Sequence, residues 1–236
     1  MSASARSPVL ALHGIHADVW HAHAMSQTPQ QVLATGDAVL DAQLPGGGWP
    51  IGALIEILQP TGLHSEWRLL LPALAQCGPE PVVLVGAPHV PFAPALAAQG
   101  LLARRLLQVQ ASTPAMRLWA AEQALRCADV SAVLAWLPQA RADALRRLQM
   151  AAAEYSKLLF VMRSASAQAE ASPAALRLQV KPCSRPAWPD GIEVGLLKRR
   201  GPPLDQPLHL GGRTARMNLL LAAGRINALD RTATPA

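Results

Sequence analysis

The chain has 236 residues, 51% of them apolar but with only six Trp, two Phe and one Tyr, so it can bury a core of Ala, Leu and Val, and a disordered body is excluded. Residues 1–100 carry two basic and six acidic side chains and residues 101–236 carry nineteen and nine, so −4 stands against +10; the basic half suits a polyanion, an acidic protein partner or a solvated Arg-rich surface. Cys77, Cys127 and Cys183 are odd in number and show no CxxC spacing, so neither a zinc site nor a disulfide framework is indicated, which fits a reducing cytoplasm.

The N-terminus has no apolar run of signal-peptide length. Val9 to Met25 places Leu12, Ile15, Val19 and Trp20 at helical spacing, with His13, His16, His21 and His23 between them, and predicts an amphipathic helix whose histidines form a polar face rather than a metal site. Thr35 to Trp67 then carries Gly46 to Gly48 between Pro45 and Trp49-Pro50. It continues into Ala53–Leu58, a run apolar enough for a strand buried on both faces. Gln59 to Gly62 is a turn, and Ser65 to Gln76 predicts a helix, kinked at Pro72.

The uncharged run 81–103 is interrupted by Pro81, Pro88, Pro91 and Pro94, so it reads as a strand at Val82–Gly86, a loop and a helix over Phe92–Gln99, with no membrane partner. Leu106–Val109 is a strand. Ser112-Thr113-Pro114 caps a helix over Ala115–Cys127, and Ala132–Trp136 is the next strand. A helix is predicted from Pro138-Gln139 to about Tyr155, then a strand over Leu158–Met162 ending at Arg163, and a mobile loop from Ser164 to Ser172. Leu176–Val180 and Ile192–Lys198 alternate as strands joined by a Pro-rich turn. Lys198-Arg199-Arg200 closes the body. In the tail beyond Leu204, Leu219, Leu220, Ile226 and Leu229, flanked by Arg213, Arg216 and Arg225, predict a partner-docking helix.

Buried strand, turn and helix is the layout of a phosphate-binding loop. Thr35-Gly36, Leu40-Asp41, Gly47-Gly48, Pro50, Gly52, Glu56-Ile57 and Pro60 together resemble the RecA-like ATPases. The string Leu44 to Pro50, LPGGGWP, is similar to one branch of them, the ImuA family, RecA-related and SulA-related proteins of bacterial SOS mutagenesis cassettes. The resemblance covers roughly 35–203. It implies an α/β, RecA-like P-loop NTPase fold, with a mostly parallel central sheet flanked by helices. The expected organisation is an extension over 1–34, a core over 35–203 and a basic tail over 204–236.

Set against that pattern, the nucleotide loop is degenerate. Across Gln59, Pro60, Thr61, Gly62, Leu63, His64, Ser65 and Glu66, the last loop glycine becomes His64, the phosphate-binding Lys becomes Ser65 and the magnesium-binding hydroxyl becomes Glu66. The water-activating Glu is replaced by Pro88, and the magnesium-orienting Asp by Ala135 or Trp136. No catalytic residue, cofactor or metal is therefore expected.

The family implies a cytoplasmic adaptor in error-prone translesion synthesis. Its partners would be an ImuB-type accessory polymerase protein, a DnaE-type polymerase reached through it, and RecA itself. The positions of RecA's DNA loops make Arg141 and Arg163 candidate DNA contacts, with Lys198, Arg199 and Arg200 at a basic edge. The alternatives are a SulA-like inhibitor of FtsZ, or a weak ATP-dependent DNA-binding protein in which Gly62, His64 and Ser65 replace the standard loop.

Overall fold

The computed structural model describes residues 30–185, 190–202, 204–211 and 219. The chain divides into two units, Met1–Gln30 and Gln31–Ala236. The expected N-terminal helix lies outside the described residues, as do Arg213, Arg216, Leu220, Arg225, Ile226 and Leu229; Leu219 is described, helical and 72% exposed.

The second unit opens with a short antiparallel pair, β1 (Val32–Leu33) and β2 (Trp49–Pro50), enclosing the one-turn helix α1 (Ala38–Asp41). Asp37 caps α1 by accepting from Val39 N and Leu40 N at 2.9 and 3.2 Å, and Asp41 Oδ1 accepts from Thr35 N at 2.8 Å. This accounts for the Thr-Gly and Leu-Asp pairs in local terms. The triple glycine has a steric reason at Gly48: a Cβ there would lie 2.3 Å from the Leu33 carbonyl oxygen, so only glycine lets β1 pass. Trp49 follows, fully buried, with its ring edge-on to Phe160 at 5.4 Å between centroids.

The main sheet has eight strands. In chain order they are β3 (Ala53–Gln59), β4 (Val82–Val85), β5 (Leu106–Val109), β6 (Ala132–Trp136), β7 (Leu158–Ser164), β8 (Leu176–Pro182), β9 (Ile192–Lys198) and β10 (Leu208–Leu210). In space they run β10-β9-β8-β3-β7-β6-β4-β5; β3 to β8 are mutually parallel, and β9 and β10 add antiparallel at one end. Among the described residues four helices connect the strands: α2 (Glu66–Gln76), α3 (Ala93–Ala98), α4 (Pro114–Arg126) and α5 (Ala142–Glu154).

The central strands are apolar throughout because both faces are covered. Ile55, Ile57, Leu84, Leu134 and Phe160 pack with Leu40, Leu70 and Leu74 of α1 and α2. Leu54, Val83, Val133, Leu159 and Val161 pack with Leu125, Leu145 and Leu148 of α4 and α5. The architecture is α/β with a mostly parallel sheet flanked by helices, compatible with a RecA-like fold.

Three local expectations are corrected. Pro138-Gln139 does not start α5: the segment turns, with Ala140 N donating to Leu137 O at 3.1 Å, and the helix begins at Ala142. Residues 164–172 are not a structureless loop, since Ala165–Ala169 forms a 3-10 turn with Ala167 buried. The sheet also continues past residue 203, because Leu208–Leu210 pairs with Ile192–Val194.

Candidate functional site

The carboxyl ends of the parallel strands are where open α/β sheets take ligands. The end of β3 is closed by its own side chains. Gln59, the last residue of the strand, donates from Nε2 to Glu66 Oε2 at 2.8 Å and accepts at Oε1 from Ser65 N at 2.6 Å. Glu66 is 1% exposed and sits in the first turn of α2, where the helix dipole favours a negative charge. Ser65 makes no side-chain capping bond. His64 Nδ1 lies 3.8 Å from Glu66 Oε1, and its ring meets that of His89, from the loop after β4, edge-on at 5.0 Å. An internal carboxylate thus holds the helix N-terminus that would serve an anion. Residues 59–66 contain no Lys or Arg.

Beside it, Arg163 near the end of β7 and Arg177 at the start of β8 form a buried ionic network with β3. Glu56, in the middle of β3 and fully buried, accepts from Arg163 Nη1 at 2.7 Å and from Arg177 Nε. Arg163 Nη2 also reaches Glu170 Oε2 at 2.6 Å. Arg177 donates to the carbonyls of Ala167, Gln168 and Glu170 at 2.9, 3.2 and 3.1 Å, which fixes the 3-10 turn. Burial works against the Arg163 charge, but hydrogen bonds and attraction from Glu56 and Glu170 outweigh it and hold its pKa above the ordinary value.

This corrects the expectation for Arg163: its side chain is 2% exposed and pairs with two carboxylates, so it is not presented to a phosphate. Arg141 is exposed, at the N-cap of α5. Lys198, Arg199 and Arg200 leave β9 toward the opposite edge of the sheet, because β9 runs antiparallel to β8 and Lys198 pairs with Arg177. Lys198 Nζ donates to Ser172 O at 3.0 Å, and Arg199 donates to the carbonyls of Gln43 and Pro202. The five cations therefore do not form one patch.

The ends of β4 and β6 are different. Segments 86–90 and 137–141 contain no Asp or Glu. A cavity of about 390 Å³ opens instead at the end of β6, lined in part by Trp136 and Arg141 and by Arg117, which sequence reasoning passed over. The signal for Arg117 was Gly86, whose φ is +66° and whose added Cβ would lie 2.8 Å from Arg117 Cδ. Among the described residues no group of three or more His, Cys, Asp or Glu could hold a metal ion, and no helix is long and apolar enough to cross a membrane.

No protein-family model matches the chain. It is 34% identical over 134 residues to Protein ImuA in two strains of Caulobacter vibrioides; the aligned part is 53% of this chain and 54% of each relative. The chain therefore spans about half the length of the curated relatives it matches, and it is ImuA-like.

Proposed function

We propose, with the likeness to Protein ImuA as premise, that the chain is a non-catalytic RecA-like adaptor of SOS-induced, error-prone translesion synthesis. In this reading it works in the cytoplasm and holds an ImuB-type accessory polymerase protein. A DnaE-type polymerase is reached through that partner, and RecA is a second contact.

The observation that carries the non-catalytic part is Glu66. A triphosphate brought to the β3–α2 loop meets a buried carboxylate already bound by Gln59, and no lysine. At about 4 Å two like unit charges repel by about 1 kcal/mol in water and about 4 kcal/mol at an effective dielectric near 20. The lack of Asp and Glu in segments 86–90 and 137–141, directly after β4 and β6, supports the same reading.

An adaptor needs surfaces, and the sheet edge at β5 supplies one. Among the described residues β5 pairs only with β4, and Leu107 on it is exposed. Met116 and Trp119 of α4 are exposed as well, Trp119 by 65%. Unpaired strand edges and exposed tryptophans are features that protein partners use.

The test is a pull-down from DNA-damaged cells with the full chain and with a version ending after Gly211, so that β10 is kept. Recovery of the ImuB-type protein by the full chain supports the adaptor, and its release by truncation assigns the dock to the tail. An FtsZ sedimentation assay separates the SulA-like reading: a lowered polymer yield would replace the adaptor by a division inhibitor.

A further inference from the structure

The cavity at the end of β6 sits where the chain reverses its direction across the sheet. After β4 the chain steps outward to β5; after β6 it steps inward to β7. Side chains at such a switch point border a ready-made crevice. Leu118 and Pro138 give it apolar walls beside the largely buried Trp136. Two cations face it. Arg117 is held in place, its stem over Gly86 and its Nε donating to Ala111 O at 3.0 Å. Arg141 is exposed and has no ion-pair partner among the described residues. Asp143 is the one acid in the lining.

We propose that this crevice receives an acidic, apolar-anchored segment of a partner protein. An aliphatic or aromatic side chain fills the space against Leu118 and Pro138, and a neighbouring carboxylate meets Arg117 and Arg141. Charge complementarity chooses this occupant. Two guanidiniums against one carboxylate attract an isolated acidic side chain, and Arg presents a fork matched to it. A phosphate backbone would need a longer cationic track and would bring its charge against Asp143. The volume fits one or two side chains, not a stack of bases. The inference rests on the adaptor reading and names where one of its partners docks.

The experiment uses fluorescence anisotropy on the full chain, with a labelled peptide of about a dozen residues alternating Glu and Leu, and matched Gln/Leu and Lys/Leu peptides. An oligo(dT) of similar length serves as competitor. The Glu/Leu peptide is expected to bind at least about tenfold more tightly than the Gln/Leu peptide, and to weaken as NaCl rises from about 50 to about 500 mM. Arg141→Glu should abolish that preference and favour the Lys/Leu peptide, whereas Arg200→Glu, on the opposite edge, should leave it unchanged. Gln139→Trp, an exposed position in the lining, should block all three peptides.

Equal affinity for the Glu and Gln peptides, an absence of binding, or indifference to Arg141→Glu overturns the proposal. Displacement of the peptide by oligo(dT), with direct oligo(dT) binding that Arg141→Glu removes, makes the crevice a nucleic-acid site and also overturns it. Co-elution of the wild-type chain with the ImuB-type protein is measured alongside. Loss of that complex counts against the adaptor, while a complex that survives beside failed peptide binding counts only against the crevice.

Discussion

The two halves of the sheet's carboxyl edge treat their charges in opposite ways. Around β3, the end of β7 and the start of β8, buried polar groups are held from within: Glu66 by Gln59, Glu56 by Arg163 and Arg177, and the 165–169 turn by Arg177. At the ends of β4 and β6, Arg117 and Arg141 border an open cavity that also holds Asp143, and neither is ion-paired among the described residues. In the proposed RecA-like reading the first region corresponds to the phosphate loop, and the protein's own side chains close it. The second keeps its cations available.

The largest effect should come from the closed side. Glu56→Ala leaves two buried guanidiniums without their anion and should cost about 3–5 kcal/mol in urea unfolding. A loss below about 1 kcal/mol would mean that the network is not formed in solution. Next, Gln59→Leu strips a buried carboxylate of its amide and leaves Ser65 N without an acceptor, for about 1–3 kcal/mol. Adding Glu66→Leu should recover much of that, because both polar groups then go together.

Arg141→Glu, on the open side, should change stability by less than about 0.5 kcal/mol, since the side chain is exposed and unpaired among the described residues. A large loss there would erase the contrast between the two halves.

The smallest effect calibrates an unburied carboxylate. Glu80 is held below its ordinary pKa of 4.5, first by a hydrogen bond from its own backbone and then by Ser131, whose Oγ is 2.9 Å away. Its folded pKa is depressed, so its contribution is present above the unfolded value and disappears as pH falls through the folded one. Ser131→Ala should therefore lower Tm slightly at neutral pH, with the gap to wild type closing as pH drops below 4.5.

The fold was legible where apolar runs are bounded by breakers. Leu106–Val109 and Ala132–Trp136 are strands with the bounds expected from sequence, and Thr113 caps α4 through a 3.2 Å bond from Met116 N. The start of α5 was not legible, because Pro138-Gln139 is as good a turn as a helix start and no side-chain cap marks Arg141. The Ser/Ala-rich run 164–172 has no periodicity of its own; its order comes from Arg177 at the start of the next strand, a side-chain contact that no apolar pattern reports.

The same holds for the site. Glu56 to Arg163 and Glu56 to Arg177 join residues 107 and 121 positions apart. A charge in the middle of an apolar strand was nevertheless a visible sign that a buried partner must exist. That Ser65 and Glu66 stand where the resemblance expects Lys and a hydroxyl was readable. That Gln59 would fasten Glu66 inward was not, since it depends on the turn that brings the strand end back to the helix start.

The most direct test is the affinity between this chain and the ImuB-type protein, measured by biolayer interferometry without nucleotide and again at about 1 mM ATP with magnesium. A dead nucleotide loop predicts a complex whose Kd is the same in both conditions to within about twofold, a difference of about 0.4 kcal/mol. A complex that forms only with ATP, or tightens about tenfold with it, would contradict a closed loop and return the chain to the ATP-dependent proteins.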